Sequence, residues 1–204
     1  SADIADKALY NSHVTDLGKG DNIFRWTVTR SNCTAYDEVS VFNDLPSPAI
    51  ARADFTVCEN KAELSADEPV IGSGKWSFHT GSGTIANPSS KDTDVTDLSS
   101  GLNTFNWTVS NNGCTSNTTV NVTNNTVSAV IITPEQEICS TTTTISAENP
   151  SLGTGLWTRT GGEGVISNAN NNVTDVTGLS NGVNRFKWTV TKTICTASDV
   201  VEIT

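Results

Sequence analysis

Five cysteines are the residues of this 204-residue chain best suited to covalent chemistry. Cys58 and Cys114 lie 56 residues apart, and Cys139 and Cys195 have the same separation. This spacing predicts two disulfides, Cys58–Cys114 and Cys139–Cys195, each bracing the start of an early strand against the turn after the penultimate strand and leaving Cys33 unpaired. Each bond should stabilise its unit by roughly 3–4 kcal/mol and indicates export to an oxidising compartment. Buried free thiols are the alternative. A metal site is disfavoured because no CxxC or Cys/His cluster occurs.

Catalytic chemistry finds little support in the remaining ionisable residues. The chain has two histidines, His13 and His79, and no motif around any serine that would complete a Ser-His-Asp triad. Asp92, Asp94 and Asp97 could pair as carboxylates, but aspartate is also common before strands, where it satisfies turn amides. We therefore expect no enzymatic activity and no catalytic or cofactor-binding residue.

Phosphate and metal binding are weakly indicated. The glycine-rich segment 72–83 lacks the Lys-Ser/Thr ending and the following helix of a phosphate loop, so its glycines are read as turns. Asp44, Asn124 and Asn125 carry oxygen ligands of the kind that Ca²⁺ prefers, which leaves a calcium ion at the domain junctions as a minor expectation. No other cofactor is expected.

An internal repeat of 81 residues organises these residues. Residues 43–123 match residues 124–204 without a gap at 30 of 81 positions, and residues 1–42 match the second half of the same unit at 17 of 42. The chain is thus divided into a C-terminal half repeat, 1–42, and two complete repeats, 43–123 and 124–204. Neither histidine recurs at the equivalent position of the next repeat, which argues further against shared catalytic chemistry.

Short strands are the elements that these repeats predict. Apolar Phe105, Trp107 and Val109 alternate with polar residues, the period-two pattern of a half-buried strand. Strands separated by Gly, Asn and Pro turns over about 80 residues predict an all-β, immunoglobulin-like sandwich in each repeat. The aromatic residues in phase with this alternation are expected to form the core framework: Phe24, Trp26, Trp76, Phe105, Trp107, Trp157, Phe186 and Trp188.

Residues 1–42 cannot close a sandwich by themselves. Their strands should expose an apolar face made of Val14, Leu17, Phe24, Trp26 and Val28. Two explanations stay open: the chain is a segment of a longer polymer, or another chain donates the missing strands.

Composition excludes several other classes of protein. The formal net charge is −10 and the pI is about 4.5, which disfavours nucleic acid and anionic lipid as partners. Thr, Ser and Asn supply 74 of the 204 residues, and no apolar run approaches the ~20 residues of a membrane span. The chain has no Met and no signal peptide, and we read it as a piece of something longer.

The shared pattern of the repeats resembles a known family. Each complete repeat contains Gly-x-Gly-x-Trp and, later, Val-Thr-x-Leu-x-x-Gly-x-Asn-x-Phe-x-Trp-Thr-Val before its second cysteine. This is similar to the PKD-like and Ig-like repeats of very large surface proteins of Bacteroidota, such as SprB-like gliding adhesins and other type IX secretion cargo. The resemblance implies secretion, an extracellular location at the cell surface and a role in gliding motility or cell adhesion. It carries over no functional site residue, because the matching positions are framework.

Three functions follow as hypotheses. The leading one is a non-enzymatic stalk of a cell-surface adhesin, a disulfide-braced extended rod whose partners are neighbouring repeats and, through regions not present here, surface polysaccharide or other cells. The second is a carbohydrate-binding or spacer module of a secreted polysaccharide-degrading enzyme, with Trp76 or Trp157 as an exposed sugar platform. The third is a strand-exchanged extracellular filament subunit.

Overall fold

The computed structural model describes residues 2–204 and contains only β-strands as regular elements in that range. Alternating polar and apolar side chains, many of them β-branched, favour this outcome. The strands are β1 (Asp3–Ile4), β2 (Val14–Thr15), β3 (Gly20–Arg30), β4 (Cys33–Asn43), β5 (Phe55–Val57), β6 (Ala62–Leu64), β7 (Ser73–Thr80), β8 (Thr84–Ile85), β9 (Thr93–Thr96), β10 (Gly101–Asn111), β11 (Cys114–Asn124), β12 (Thr142–Ser146), β13 (Thr154–Gly161), β14 (Val165–Ile166), β15 (Val173–Thr177), β16 (Asn184–Lys192) and β17 (Cys195–Ile203). Among these residues there is no helix with the length and apolar character that a membrane crossing requires.

The first complete repeat is a sandwich of two sheets. One sheet has the order β5-β11-β10-β7, and the other has the order β6-β9-β8. Neighbouring strands are antiparallel except β5, which runs parallel to the end of β11 with Val57 opposite Asn124. Seven short strands in this arrangement form an immunoglobulin-like fold, as the sequence predicts.

The core of this sandwich is built on aromatic pairs between the middle strands. Trp76 of β7 and Trp107 of β10 lie opposite each other with ring centroids 5.0 Å apart, and both side chains are 1% exposed. Phe78 and Phe105 form a second tilted pair at 4.8 Å. Leu64 and other aliphatic side chains close the core from the opposite sheet. The predicted core positions of this repeat are confirmed.

The second complete repeat reproduces the first. Its sheets have the orders β13-β16-β17 and β12-β15-β14, and a parallel bridge between Gln136 and Ile203 takes the place of β5. Trp157 and Trp188 pair at 5.1 Å, and Phe186 is fully buried beside them. The repeats thus have separate cores of the same design.

Residues 2–42 form two small antiparallel pairs, β1-β2 and β3-β4. These are the counterparts of the pairs β8-β9 and β10-β11, and the range contains no counterpart of β5, β6 or β7. Trp26 is therefore 42% exposed and Phe24 is half-buried, so the prediction that Trp26 is a core residue is wrong. Of the five residues predicted to form an exposed apolar face, Trp26 and Val28 are exposed, whereas Val14, Leu17 and Phe24 are half-buried.

The predicted disulfide pairing is also wrong. The structure joins Cys58 to Cys195 and leaves Cys33, Cys114 and Cys139 as exposed thiols. Cys58 follows the strand that pairs with the last residues of β11, whereas Cys114 is the first residue of that 11-residue strand. At about 3.4 Å per residue the two ends lie roughly 34 Å apart, far beyond disulfide reach.

The same argument holds in the second repeat. The amide of Ile138, next to Cys139, donates to the carbonyl oxygen of Thr204 just beyond the end of β17, whereas Cys195 begins that strand. The two cysteines of each repeat therefore mark its opposite ends. The limits 1–42, 43–123 and 124–204 stay a prediction.

Candidate functional site

The junction between the two complete repeats is the best-defined site in the structure. Cys58 lies at the end of the first complete sandwich where β11 ends. It bonds to Cys195, which follows the β16–β17 turn of the second complete sandwich, with 5.3 Å between their α-carbons. Their sequence separation is 137 residues. Cys195 is buried at 1% exposure, so the second repeat packs onto the end of the first at this point.

Polar contacts surround the sulfur bridge. The Lys192 ammonium donates to the Ser100 hydroxyl at 2.9 Å, which joins the β16–β17 hairpin to the loop before β10. The Cys195 sulfur lies 3.7 Å from the carbonyl oxygen of Val57. The junction therefore combines one covalent bond with a charge-assisted hydrogen bond, the stronger kind of hydrogen bond.

The short segment between the repeats is fixed to both of them. The amide of Asn125 donates to the Val57 carbonyl oxygen of the first repeat at 2.9 Å, and its side-chain amide donates to the Thr193 hydroxyl of the second at 2.7 Å. Asp44 makes the equivalent contact at the preceding junction, where its carboxylate accepts from the Asn112 side-chain amide at 2.9 Å. These contacts favour a defined orientation between neighbouring repeats.

The residues considered for calcium are engaged in hydrogen bonds within the chain. The Asn124 side-chain amide donates to the Leu98 carbonyl oxygen at 3.0 Å, and its side-chain oxygen accepts from Thr126. Asp44 and Asn125 hold the contacts described above. Among residues 2–204, no group of three His, Cys, Asp or Glu side chains is placed to hold a metal ion. The calcium expectation stays a prediction.

The structure does not bring the candidate catalytic residues together into a site. His13 and His79 are exposed on separate repeats. Asp92 accepts hydrogen bonds from the Lys91 ammonium and the Ser65 hydroxyl, and these contacts hold the pKa of its carboxyl below the ordinary value. A carboxyl with a lowered pKa is poorly suited to act as a general acid.

The tryptophans considered as sugar platforms are in the core. The indole nitrogen of Trp76 donates to the Lys91 carbonyl oxygen at 3.0 Å, and that of Trp157 donates to the Asn172 carbonyl oxygen at 3.4 Å. Both side chains are buried, so the hypothesis that they form an exposed platform is wrong.

Three asparagines were not identified from the sequence: Asn22, Asn103 and Asn184. In each repeat, this side chain forms hydrogen bonds to the loop before the penultimate strand. The side chain of Asn184 accepts from the amide of Glu163 at 2.9 Å and donates to the carbonyl oxygens of Ser180 and Gly182 at 2.9 and 3.0 Å. The recurring Gly-x-Asn at 81-residue spacing was the signal that could have identified them.

An open groove lies in the half repeat at the beginning of the chain. It encloses about 770 Å³ between β1-β2 and β3-β4, and its apolar lining includes Val14, Leu17, Phe24, Trp26 and Val39. The counterparts of these side chains are core residues in the complete repeats. The groove is thus the half of a sandwich core that the strands of this range leave uncovered.

Comparisons with known proteins return only structural likenesses. No protein-family model matches the chain, and neither does any curated protein sequence. Titin I-band domains I67–I69 align over 90% of this chain and 74% of theirs, at 8% identity and a TM-score of 0.47. The insect immune protein hemolin aligns over 88% of this chain and 55% of its own, at 13% identity and a TM-score of 0.48. The extracellular portion of mouse CD200RLa aligns over 74% of this chain and 100% of its own, at 14% identity and a TM-score of 0.39.

Proposed function

We propose that this chain is a non-enzymatic structural segment of a large, secreted cell-surface adhesin, in which tandem sandwiches form an extended rod. The observation that carries the proposal is the Cys58–Cys195 bond, which fixes the end of one repeat to the beginning of the next. A disulfide in this position is useful to a protein that must keep its repeats aligned, and it suits an oxidising extracellular location.

Two further features support a spacer role. The linker contacts of Asp44 and Asn125 recur with the repeat, which is typical of arrays stabilised by nearest-neighbour interfaces. The net charge of −10 and the high content of Thr, Ser and Asn suit a rod that must stay dissolved and not adhere to its neighbours side by side.

The native parent polypeptide provides the test. An antibody raised against the whole chain is used on surface-shaved and whole-cell extracts to measure the apparent mass of the parent. We expect a surface-exposed species of several hundred kilodaltons. A band of the size of an ordinary secreted enzyme contradicts the proposal and favours the accessory-module hypothesis.

The open groove of the half repeat favours a second candidate, the strand-exchanged filament subunit. Strand β3 pairs with β4 alone, whereas its counterpart β10 pairs on both edges, with β11 and β7. A donated strand could cover both the free edge and the groove. Ordered polymers of the purified chain that persist in a strong reductant would favour this candidate, and a monomer at all concentrations would contradict it.

A further inference from the structure

The β10–β11 turn of the first complete repeat contains a reactive dipeptide. It consists of Asn112 and Gly113, whose backbones are both left-handed with φ of 43° and 89°, as in a type I′ turn. An asparagine followed by glycine is the pair most prone to lose its side-chain amide, because glycine has no side chain to hinder its own backbone nitrogen. The equivalent residues of the second complete repeat are Thr193 and Ile194, so the dipeptide does not recur there.

The surroundings of this turn leave room for the reaction. Both residues are exposed, and a β-carbon added at Gly113 would meet no atom within 4 Å. Among residues 2–204, the Gly113 amide has no backbone acceptor beyond the β-ladder, whose last register pair is Asn111 with Cys114. The Gly113 nitrogen is therefore accessible to act as a nucleophile, and water reaches the turn freely.

The side chain of Asn112 also holds the linker that enters the repeat. Its amide nitrogen donates to the Asp44 carboxylate at 2.9 Å, and Asp44 directly follows β4. This hydrogen bond is charge-assisted, which makes it stronger than the neighbouring bond from the Asn111 side-chain amide to the Asp44 carbonyl oxygen at 3.0 Å. A carboxylate in place of the Asn112 amide would face Asp44 with a like charge, so the attraction would become a repulsion.

We propose that Asn112 is a site of spontaneous deamidation, and that its product releases Asp44 and loosens the junction between residues 2–42 and the first complete repeat. The Gly113 backbone nitrogen loses its proton and attacks the side-chain carbonyl carbon of Asn112. A new carbon–nitrogen bond forms as the bond to the side-chain nitrogen breaks, which releases ammonia and leaves a five-membered succinimide ring. Water then opens the ring at either carbonyl and gives an aspartate or an isoaspartate. Water is the only co-reactant that this balance requires.

The two junctions of the chain differ in this respect. At the junction between the complete repeats, the Asn125 side-chain amide donates to the Thr193 hydroxyl at 2.7 Å, and threonine has no amide to lose. Deamidation at Asn112 is irreversible because the ammonia leaves. The contact at Asp44 is therefore lost with time, whereas the contact at Thr193 is kept. The inference rests on the turn and its linker contact and does not depend on the adhesive role.

The first measurement follows the reaction in the full oxidised chain, incubated at neutral and at mildly alkaline pH. Peptide mapping by mass spectrometry should show a gain of one mass unit at Asn112 and two separable products, and the rate should rise with pH because the attacking nitrogen must lose its proton. The other Asn-Gly pair, at Asn181 in the loop before β16, is the internal reference. Asp44→Ala should raise the rate at Asn112 several-fold and leave the rate at Asn181 unchanged, since the Asn112 side chain must leave Asp44 before it can react.

The second measurement follows the linker by hydrogen–deuterium exchange. A peptide that covers residues 44–48 should exchange several-fold faster after deamidation and in Asn112→Asp, which carries the charge of the product. Asn112→Thr is the matched control. It copies the residue at position 193 and keeps a hydroxyl toward the linker, so it should exchange like the unmodified chain. The equivalent linker peptide, residues 125–129, should not change in any variant, and equal thermal unfolding shows that the variants are folded alike.

Several results would overturn the proposal. If Asn112 stays intact while Asn181 reacts, the turn protects its asparagine and is not a modification site. An unchanged rate in Asp44→Ala would show that the Asp44 contact does not restrain the Asn112 side chain in solution. Deamidation without faster exchange of the linker, or equal exchange in Asn112→Asp and Asn112→Thr, would show that the junction does not depend on this contact.

Discussion

At the scale of single residues, a glycine beneath a tryptophan decides how closely the two middle strands pack. A β-carbon added at Gly155 would lie 1.9 Å from Cζ2 of Trp188, and one added at Gly74 would lie 2.0 Å from the same atom of Trp107. Neither glycine has a left-handed backbone, so space alone excludes a side chain there. This explains why the second glycine of Gly-x-Gly-x-Trp recurs in the repeats.

We expect Gly155→Ala to lower the free energy of unfolding by about 3 kcal/mol, because the new methyl group must displace a fully buried indole. Gly161→Ala is the matched control in the same strand, since its β-carbon would meet Arg185 at an ordinary 3.6 Å. The free energies come from urea denaturation of the oxidised chain. Equal stabilities of the two variants would contradict the packing argument.

A second prediction concerns the buried asparagine of the loop before β16. Asn184→Ala should lower the free energy of unfolding by roughly 2–3 kcal/mol, since it leaves the amide of Glu163 and two carbonyl oxygens without their partner. The exposed Asn171→Ala serves as control and should change it by less than about 0.5 kcal/mol. Thermal unfolding followed by circular dichroism checks both, and a similar loss in both variants would show that the loop network is unimportant.

At the scale of elements, the hairpins β3-β4 and β10-β11 have the same register and length but different surroundings. Phe24 lies opposite Val39 as Phe105 lies opposite Val120. Strand β10 has a neighbour on each edge, and β3 has one edge free. Local stability should therefore differ between nearly identical hairpins.

Hydrogen–deuterium exchange measures this difference directly. Peptides from β3 should exchange much faster than the equivalent peptides from β10 and β16, because half of the β3 amides lack a sheet partner. Peptides from β4 and β11 should differ less, since β5 covers only the end of β11. Equal protection of β3 and β10 would mean that another chain covers the free edge in solution.

The sequence predicts the strands and core well because their signals are local. Phe105, Trp107 and Val109 reveal a buried face within five residues, and the 81-residue spacing transfers that result to every repeat. The cysteine pairing failed for a different reason. A separation of 56 residues shows that Cys58 and Cys114 share a repeat, but it does not show that Cys58 lies beside the far end of the long strand that Cys114 begins. Only the strand topology supplies that information.

At the scale of the whole molecule, the Cys58–Cys195 bond and the Asn125 contacts determine how one repeat is oriented against the next. Each sandwich has its own core, so the bond is not needed to fold either of them. The bond should therefore affect the relative orientation of the two repeats.

The double variant Cys58→Ser with Cys195→Ser should keep the thermal unfolding of both sandwiches nearly unchanged and broaden the distance distribution from small-angle X-ray scattering. A triple Cys33→Ser, Cys114→Ser, Cys139→Ser variant, which keeps the bond, is the control and should broaden only when a reductant is added. Identical scattering curves for the two variants would show that the hydrogen bonds alone hold the junction.

The position of this bond also determines the path of tension through the chain. A pull applied to the two ends travels along the chain to Cys58, crosses the sulfur bridge to Cys195 and leaves through the last strand, so the segment between them carries no load. With a separation of 137 residues, roughly 450–490 Å of extended length is held in reserve. The redox state of one cysteine pair therefore decides whether residues 59–194 are shielded from a pulling force or can unfold under it and lengthen the molecule.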